Sequence, residues 1–379
     1  MNKKIVFLTG TRADFSKLKS LISITQKSKD YKVHLFVTGM HMNSLYGSTI
    51  DEIRKNKFEN IYPFINHDSI DNMDRTLAKT IDGFSHFIAE IKPDLIVVHG
   101  DRVEAMAGAI VGSLNNILVA HIEGGEVSGT IDELIRHAVS KMSHIHLVSN
   151  ERAKTRLIQL GELPEAIFIL GSPDLDLMNP EKLPNLSDVK KYYNIEFDNF
   201  AVAMFHPVTT EFKSAQKNAK EFVNALIDSD ENYIVIYPNN DLGSHEILKE
   251  YKRLEGNDNI ELFPSLRFEY FLVFLKNSKY IVGNSSAGIR EASYYGTPTV
   301  DIGSRQNNRS QSVSIFHANN ERKSILKSIN LAKDFKKDSS NKVSDFGQGN
   351  SDQIFLKLLD GNKIWNSDCQ KQFQDVDYE

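Results

Sequence analysis

Short apolar runs recur along this chain, and each ends abruptly at a glycine or a polar cluster. Lys4–Thr9 is closed by Gly10, Lys32–Thr38 by Gly39, and Asp94–His99 by Gly100. Ile117–Ile122, Ile145–Ser149 and Ile167–Leu170 repeat the pattern. The runs are continuous rather than alternating. That marks strands buried on both faces, hence a parallel sheet. Helical patterns fill the intervals, from Phe15 to about Gln26, from about Glu104 to Leu114, and around Asp132–Lys141. Strands alternating with helices predict a doubly wound α/β domain.

The stretch Asn179–Asn185 holds two prolines and little apolar content, and reads as a linker. The alternation then restarts with Phe200–Phe205, Tyr233–Tyr237, Ile260–Phe263, Tyr280–Val282 and Thr299–Ile302. The expected organisation is a Rossmann-like domain over 1–178 and a second, nucleotide-binding one over 186–355, with a central cleft. A helical segment over 356–379 is expected to pack back on the first domain. Lys337–Gly349 is polar and reads as a loop, while Ile354–Leu359 and the region round Trp365 read as helices.

Length and composition agree with two domains: 379 residues, 40% hydrophobic and 25% charged. The single cysteine, Cys369, allows neither an intramolecular disulfide nor a cysteine-built metal site, which suits the cytoplasm. The net charge of −5 comes with no long basic run, which argues against a nucleic-acid partner. The apolar run at the N-terminus is too short for a signal peptide or membrane span.

In open parallel sheets, ligands bind beyond the C-terminal ends of the strands. Six polar clusters stand there. Gly10-Thr11-Arg12-Ala13-Asp14 either holds a phosphate at a helix start or is a glycine turn capped by Asp14. His99-Gly100-Asp101-Arg102 places a charged pair directly after a buried strand. His121-Ile122-Glu123-Gly124-Gly125-Glu126, with Asp132-Glu133 and Arg136-His137 behind it, gathers several carboxylates. Such groups suit general acid–base work, since like charges held close raise one another's pKa. Phe205-His206-Pro207 puts a histidine at a strand end, and Tyr237-Pro238-Asn239-Asn240-Asp241 follows another strand. Gly283-Asn284-Ser285-Ser286-Ala287-Gly288-Ile289-Arg290-Glu291 reads as a helix opening, either suited to a diphosphate with Glu291 placed to accept from a ribose diol, or capped by serine with Glu291 favoured by the helix dipole. No P-loop signature occurs, and no GxGxxG follows the first strand. No metal site and no cofactor are expected.

These strings together resemble the hydrolysing UDP-N-acetylglucosamine 2-epimerases. The resemblance is carried by GTRADF near residue 10, HGDR at 99–102, HIEGGEVSGTIDELIRHAVSKMSH at 121–144, GSPDLD at 171–176, FHPVTT at 205–210, YPNND at 237–241, and RFEYFLVFLK with VGNSSAGIREASYYGTP within 267–298. It runs to about residue 310 and thins beyond. Non-hydrolysing relatives tend instead to show GTRPE and HVEAGLRS. The resemblance implies a two-domain fold like that of GT-B glycosyltransferases, with a UDP-sugar as substrate. It implies that Arg12, Ala13, Asp14, Arg102, His206, Asn239, Ser285, Ser286, Glu291 and Arg305 lie near the nucleotide or its phosphates. It implies that Asp101, Glu123 and Asp132 are catalytic carboxylates, with His206 available to move protons. It implies a homodimer or homotetramer that feeds sialic acid synthesis. The same chemistry on UDP-N,N′-diacetylbacillosamine remains open, as do a GT-B glycosyltransferase and a nucleotide-sugar-binding protein without turnover.

Overall fold

The computed structural model describes residues 2–47, 49–67, 72–128, 130–306, 312–336, 346–372 and 374–375. The chain divides into two compact units. The first comprises Met1–Glu126, Asp132–Asn179 and Asp345–Glu379; the second comprises Val127–Ile131 and Pro180–Ser344.

Among the described residues, the first unit holds a sheet of seven parallel strands. They are β1 (Lys3–Thr9), β2 (Tyr31–Val37), β3 (Ile61–Pro63), β4 (Leu95–His99), β5 (Leu118–Ile122), β6 (Ile145–Val148) and β7 (Ile167–Ile169). Their order is β3-β2-β1-β4-β5-β6-β7. Its helices are α1 (Arg12–Lys27), α2 (Ile50–Lys55), α3 (Met73–Ile91), α4 (Val103–Leu114), α5 (Ile131–Met142) and α6 (Glu151–Gln159). The second unit carries α7 (Leu186–Tyr193), α8 (Ala215–Asp228), α9 (Ser244–Tyr251), α10 (Phe268–Asn277), α11 (Glu291–Tyr294) and α12 (Arg322–Asp334). Its six parallel strands are β8 (Ala201–Met204), β9 (Tyr233–Ile236), β10 (Ile260–Phe263), β11 (Ile281–Gly283), β12 (Thr299–Ile302) and β13 (Ile315–Ala318), in the order β10-β9-β8-β11-β12-β13.

The central strands are buried along their whole length because both faces are apolar: β4, β5 and β9 show no exposed residue. That continuity made them legible. Two strands were not read from the sequence. Both β3 and β13 lie at sheet edges, and each presents exposed residues.

In each sheet the strand order reverses once, between β1 and β4 in the first and between β8 and β11 in the second. Open α/β sheets bind ligands at such switch points. The loops after these four strands are 10–11, 100–102, 205–208 and 284–285.

A final helix, α13 (Ser351–Asp360), returns to the first unit and packs on α1. Phe355, Leu359 and Ile364 join the core formed by Ile5, Phe7, Leu18 and Leu21. The expected limit at 355 thus falls inside a helix that belongs to the first unit. The apolar face of α13 is what draws the chain back, since burying one such side chain yields about 2 kcal/mol. The region round Trp365 is a turn, not a helix. Of the expected loop at 337–349, residues 337–345 lie outside the described residues. No helix among the described residues is long and apolar enough to cross a membrane.

Candidate active site

At the end of β1, Thr11 caps α1 and accepts from the Asp14 N–H, 3.2 Å away. Asp14 answers from the third helical position. Its carboxylate accepts from the Gly10 N–H at 2.9 Å, the Thr11 N–H at 3.1 Å and the Thr9 hydroxyl. This is a capping box. Burial pushes the Asp14 carboxyl above its usual range, against the pull of those hydrogen bonds. Asp14 therefore serves its own loop. Arg12 and Ala13 occupy the first turn beside it, Arg12 half-buried and Ala13 exposed. Behind the loop, His41 is pushed down to about 3 by burial and by the Arg12 charge, so its ring is neutral.

The β4 and β5 ends lie side by side, with His99 opposite Ile122. Glu123 follows with φ of 72°, a left-handed conformation unusual for a side chain of this size. Its N–H still donates to Leu147 O at 3.1 Å. Holding a non-glycine residue there costs about 1 kcal/mol or more, a strain concentrated at working sites. The result is a carboxylate turned between two nitrogens. Lys17 Nζ and His99 Nε2 each lie 2.9 Å from Glu123 Oε2. All three side chains are nearly buried. Breaking such a pair by deleting one partner costs about 3–5 kcal/mol.

The second carboxylate, Asp101, pairs with Arg136 Nη2. Arg136 is fully buried, and its Nη1 also donates to Glu126 O at 3.3 Å. Arg136 stands four residues beyond Asp132 on α5, so the two share one helix face. The first unit thereby gathers Asp101, Glu123 and Asp132 at one end of its sheet. Arg102 stands at the N-cap position of α4 without a side-chain cap, its Nε 3.9 Å from Glu104 Oε2. His121 lies beneath. Its Nε2 donates to Gly100 O at 2.8 Å, and its Nδ1 accepts from the Ser140 hydroxyl at 3.0 Å. Burial pushes it down to about 3 and keeps it neutral. Gly125 is required: a Cβ there would stand 2.2 Å from Ala153 O.

In the second unit one amide organises the strand ends. Asn284 Oδ1 accepts from the His206 N–H at 2.6 Å, and its Nδ2 donates to His206 O at 2.8 Å. The Asn284 carbonyl accepts from Gln306 Nε2 at 2.9 Å and Arg305 Nη1 at 3.3 Å. His206 Nδ1 in turn accepts from the Asn239 N–H at 3.0 Å, which leaves the proton of the neutral ring on Nε2. His206, Asn239 and Arg305 are thus brought together. Gly283 lets β11 approach β8, since a Cβ there would lie 1.8 Å from Met204 O. The expected helix opening is different in form. Ser285 caps a single 3-10 turn, Ser286–Gly288, and α11 follows as only four residues beginning at Glu291. A helix that short carries little dipole, so Ser285 and Ser286 offer hydroxyls and N–H groups rather than a macrodipole.

Four residues of these sites had no role in the sequence reading: Lys17, His99, Arg136 and Asn284. Lys17 had a signal. It lies on the buried stripe of α1 that runs through Asp14, Leu18, Leu21 and Thr25, where a cation is out of place unless paired.

The family model described as UDP-N-acetylglucosamine 2-epimerase matches residues 24–360, well past the point where the motifs thin. A UDP-N-acetylglucosamine 2-epimerase of Neisseria meningitidis serogroup B is 47% identical over 375 residues, covering 99% of each chain. The UDP-N,N′-diacetylbacillosamine 2-epimerase (hydrolyzing) of Legionella pneumophila is 33% identical over 364 residues, 95% of this chain and 96% of that one. The crystal structure of the Methanocaldococcus jannaschii UDP-GlcNAc 2-epimerase in complex with UDP-GlcNAc and UDP matches with a TM-score of 0.81 at 21% identity, covering 94% of this chain and 99% of that one. That likeness shows a shared fold of two parallel-sheet α/β domains. With the sequence match spanning nearly the whole chain, it follows that this protein belongs to the UDP-N-acetylglucosamine 2-epimerase family.

Proposed function

We propose that the protein converts UDP-N-acetylglucosamine and water to N-acetylmannosamine and UDP. The observation that carries this reading is Glu123, held in a strained backbone conformation between Lys17 and His99. A weakly acidic C2–H needs an ionised carboxylate fixed against it. Lys17 favours the ionised form of Glu123, and we give Glu123 the role of C2 base. As C2 loses its proton, a C1=C2 double bond forms and the C1–O bond breaks. The bond pair leaves with UDP, giving 2-acetamidoglucal. Water then adds its oxygen to C1, and a proton is delivered to C2 from the opposite face. Asp132 is assigned that second proton transfer. Asp101, engaged by Arg136, orients α5 rather than moving a proton.

His206 Nε2–H, Asn239, Arg305 and the Ser285–Ser286 turn supply donors suited to a departing diphosphate. Arg12 and Arg102 add positive charge, and Glu291 is assigned to the ribose. We assign the protein to the cytoplasm as a homodimer or homotetramer, with N-acetylmannosamine passing to sialic acid synthesis. The Neisseria relative's substrate and its higher identity support UDP-N-acetylglucosamine over the diacetamido sugar named for the Legionella relative.

The test is incubation with UDP-N-acetylglucosamine in deuterated water, followed by NMR. Free N-acetylmannosamine carrying deuterium at C2, together with UDP, is expected. UDP-N-acetylmannosamine as product would overturn the hydrolysing step. Turnover of UDP-N,N′-diacetylbacillosamine alone would overturn the substrate.

A further inference from the structure

Away from the sheet ends, the first unit buries a cluster of charges that the reaction does not use. Glu162 is 2% exposed, and His146 is fully buried beside it. His146 Nε2 donates to Glu162 Oε2 at 2.8 Å, while Lys141 Nζ reaches Glu162 Oε1 at 3.0 Å. The fourth member comes from far along the chain. Lys371 Nζ lies 2.5 Å from Glu162 Oε2. Burial works against the ionised form of Glu162, but the His146 hydrogen bond and the Lys371 ammonium outweigh it and hold its carboxyl at about 2.

Lys371 does more than pair. Its ammonium also donates to Ser143 O at 2.7 Å, Lys141 O at 2.8 Å and Ser140 O at 3.2 Å. These are carbonyls at the C-terminal end of α5, the negative end of the helix dipole, of which Ser140 O also accepts from the Ser143 N–H at 3.1 Å. The segment that delivers Lys371 is itself anchored. Trp365 stacks on Tyr31 and lies under Lys3 Nζ, and Cys369 O accepts from the His144 ring at 3.2 Å.

The first half of α5 carries Asp132 in its opening turn and Arg136 at mid-helix, and Arg136 holds Asp101. The helix has 12 residues, about 18 Å by its rise per residue. It is tied at its middle by the Arg136–Asp101 pair and at its finish by Lys371. We propose that Lys371 is a positioning residue, which fixes the C-terminal end of α5 so that Asp132 and the Arg136–Asp101 pair are held in register with Glu123. The catalytic part of this inference rests on the epimerase reading above. Small displacements of a reacting group carry large rate losses.

The test uses the full chain with Lys371→Met and Lys371→Arg. Amide hydrogen exchange reports α5 directly. Faster exchange along α5 in Lys371→Met, with Lys371→Arg close to wild type, is expected. Unchanged exchange along α5 in Lys371→Met overturns the proposal, whatever the activity. With UDP-N-acetylglucosamine, Lys371→Met is expected to lose about tenfold in kcat with KM within twofold, and Lys371→Arg to recover most of it. A matched core variant in the second unit, Val300→Ala, sets the comparison for general destabilisation. If it loses as much kcat at the same fall in Tm, the positioning role is overturned. A wild-type protein without turnover would sink the epimerase reading alone, because exchange along α5 still decides the Lys371 contact.

Discussion

In the first unit each strand-end carboxylate of β4 and β5 is answered by a cation: Glu123 by Lys17, with the His99 ring beside it, and Asp101 by Arg136. The second unit does the corresponding work with neutral groups. There the Asn284 amide, the His206 ring and the Asn239 backbone hold one another through hydrogen bonds of 2.6–3.0 Å. Under the proposed reaction, the difference follows from what each site would have to do. A proton acceptor must be ionised yet sheltered from water, so it needs an opposing charge close by. A site for a diphosphate needs donors held in place, and one of these meets a carboxylate, where Asn239 Nδ2 donates to Asp241 Oδ2 at 2.5 Å. Neutral scaffolding positions such donors at little electrostatic cost.

That contrast can be broken. Glu123→Gln keeps the size of the side chain and removes its charge. A fall in kcat of about a thousandfold, with Tm held, is expected. Turnover within tenfold of wild type would end the assignment of Glu123 as base. Lys17→Met should cost about a hundredfold in kcat and about 3 kcal/mol in urea unfolding, because it leaves a buried carboxylate without its ammonium. If Lys17→Met unfolds like wild type, the ion pair is not what holds Glu123.

The neutral side should respond differently. Asn284→Ala removes both side-chain bonds to the His206 backbone, so UDP affinity by calorimetry should weaken about tenfold, with stability down by about 2 kcal/mol. A larger loss in kcat than in UDP affinity would show that the second unit takes part in proton transfer. The smallest effect belongs to Asp14→Ala. It should lower stability by about 1 kcal/mol, as loss of a cap does, with turnover within threefold. A large loss of turnover would mean that the capping box also holds ligand.

The sheets were legible because buried parallel strands must be apolar on both faces. The β10 and β12 limits, Ile260–Phe263 and Thr299–Ile302, agree with the sequence reading to the residue. Glu123 and Asp101 were legible because a charge directly after such a run has few reasons to be there. Arg136 was seen but given no task, since nothing in a sequence says that a mid-helix arginine is fully buried. Lys17 and Glu123 are 106 residues apart, and no local pattern links them. Asn284 was passed over for the two serines beside it. Its importance comes from the main-chain path of a loop 78 residues earlier. Asp14 shows the converse: the sequence reading made Asp14 the cap, whereas Thr11 takes the N-cap and Asp14 the third position of a capping box, a T-x-x-D pattern that the sequence already held.

The return of α13 to the first unit also has a consequence for synthesis. Ribosomes release the chain from its N-terminus, so the strands β1 to β7 emerge well before Phe355, Leu359 and Ile364, which complete their core. The second unit has all its described strands and helices in one later stretch, Pro180–Ser344 apart from a five-residue piece, Val127–Ile131. The domain that is made first is therefore the one that finishes folding last. Until its closing helix arrives, it waits with apolar surface uncovered, and that interval is when a nascent chain depends most on chaperones.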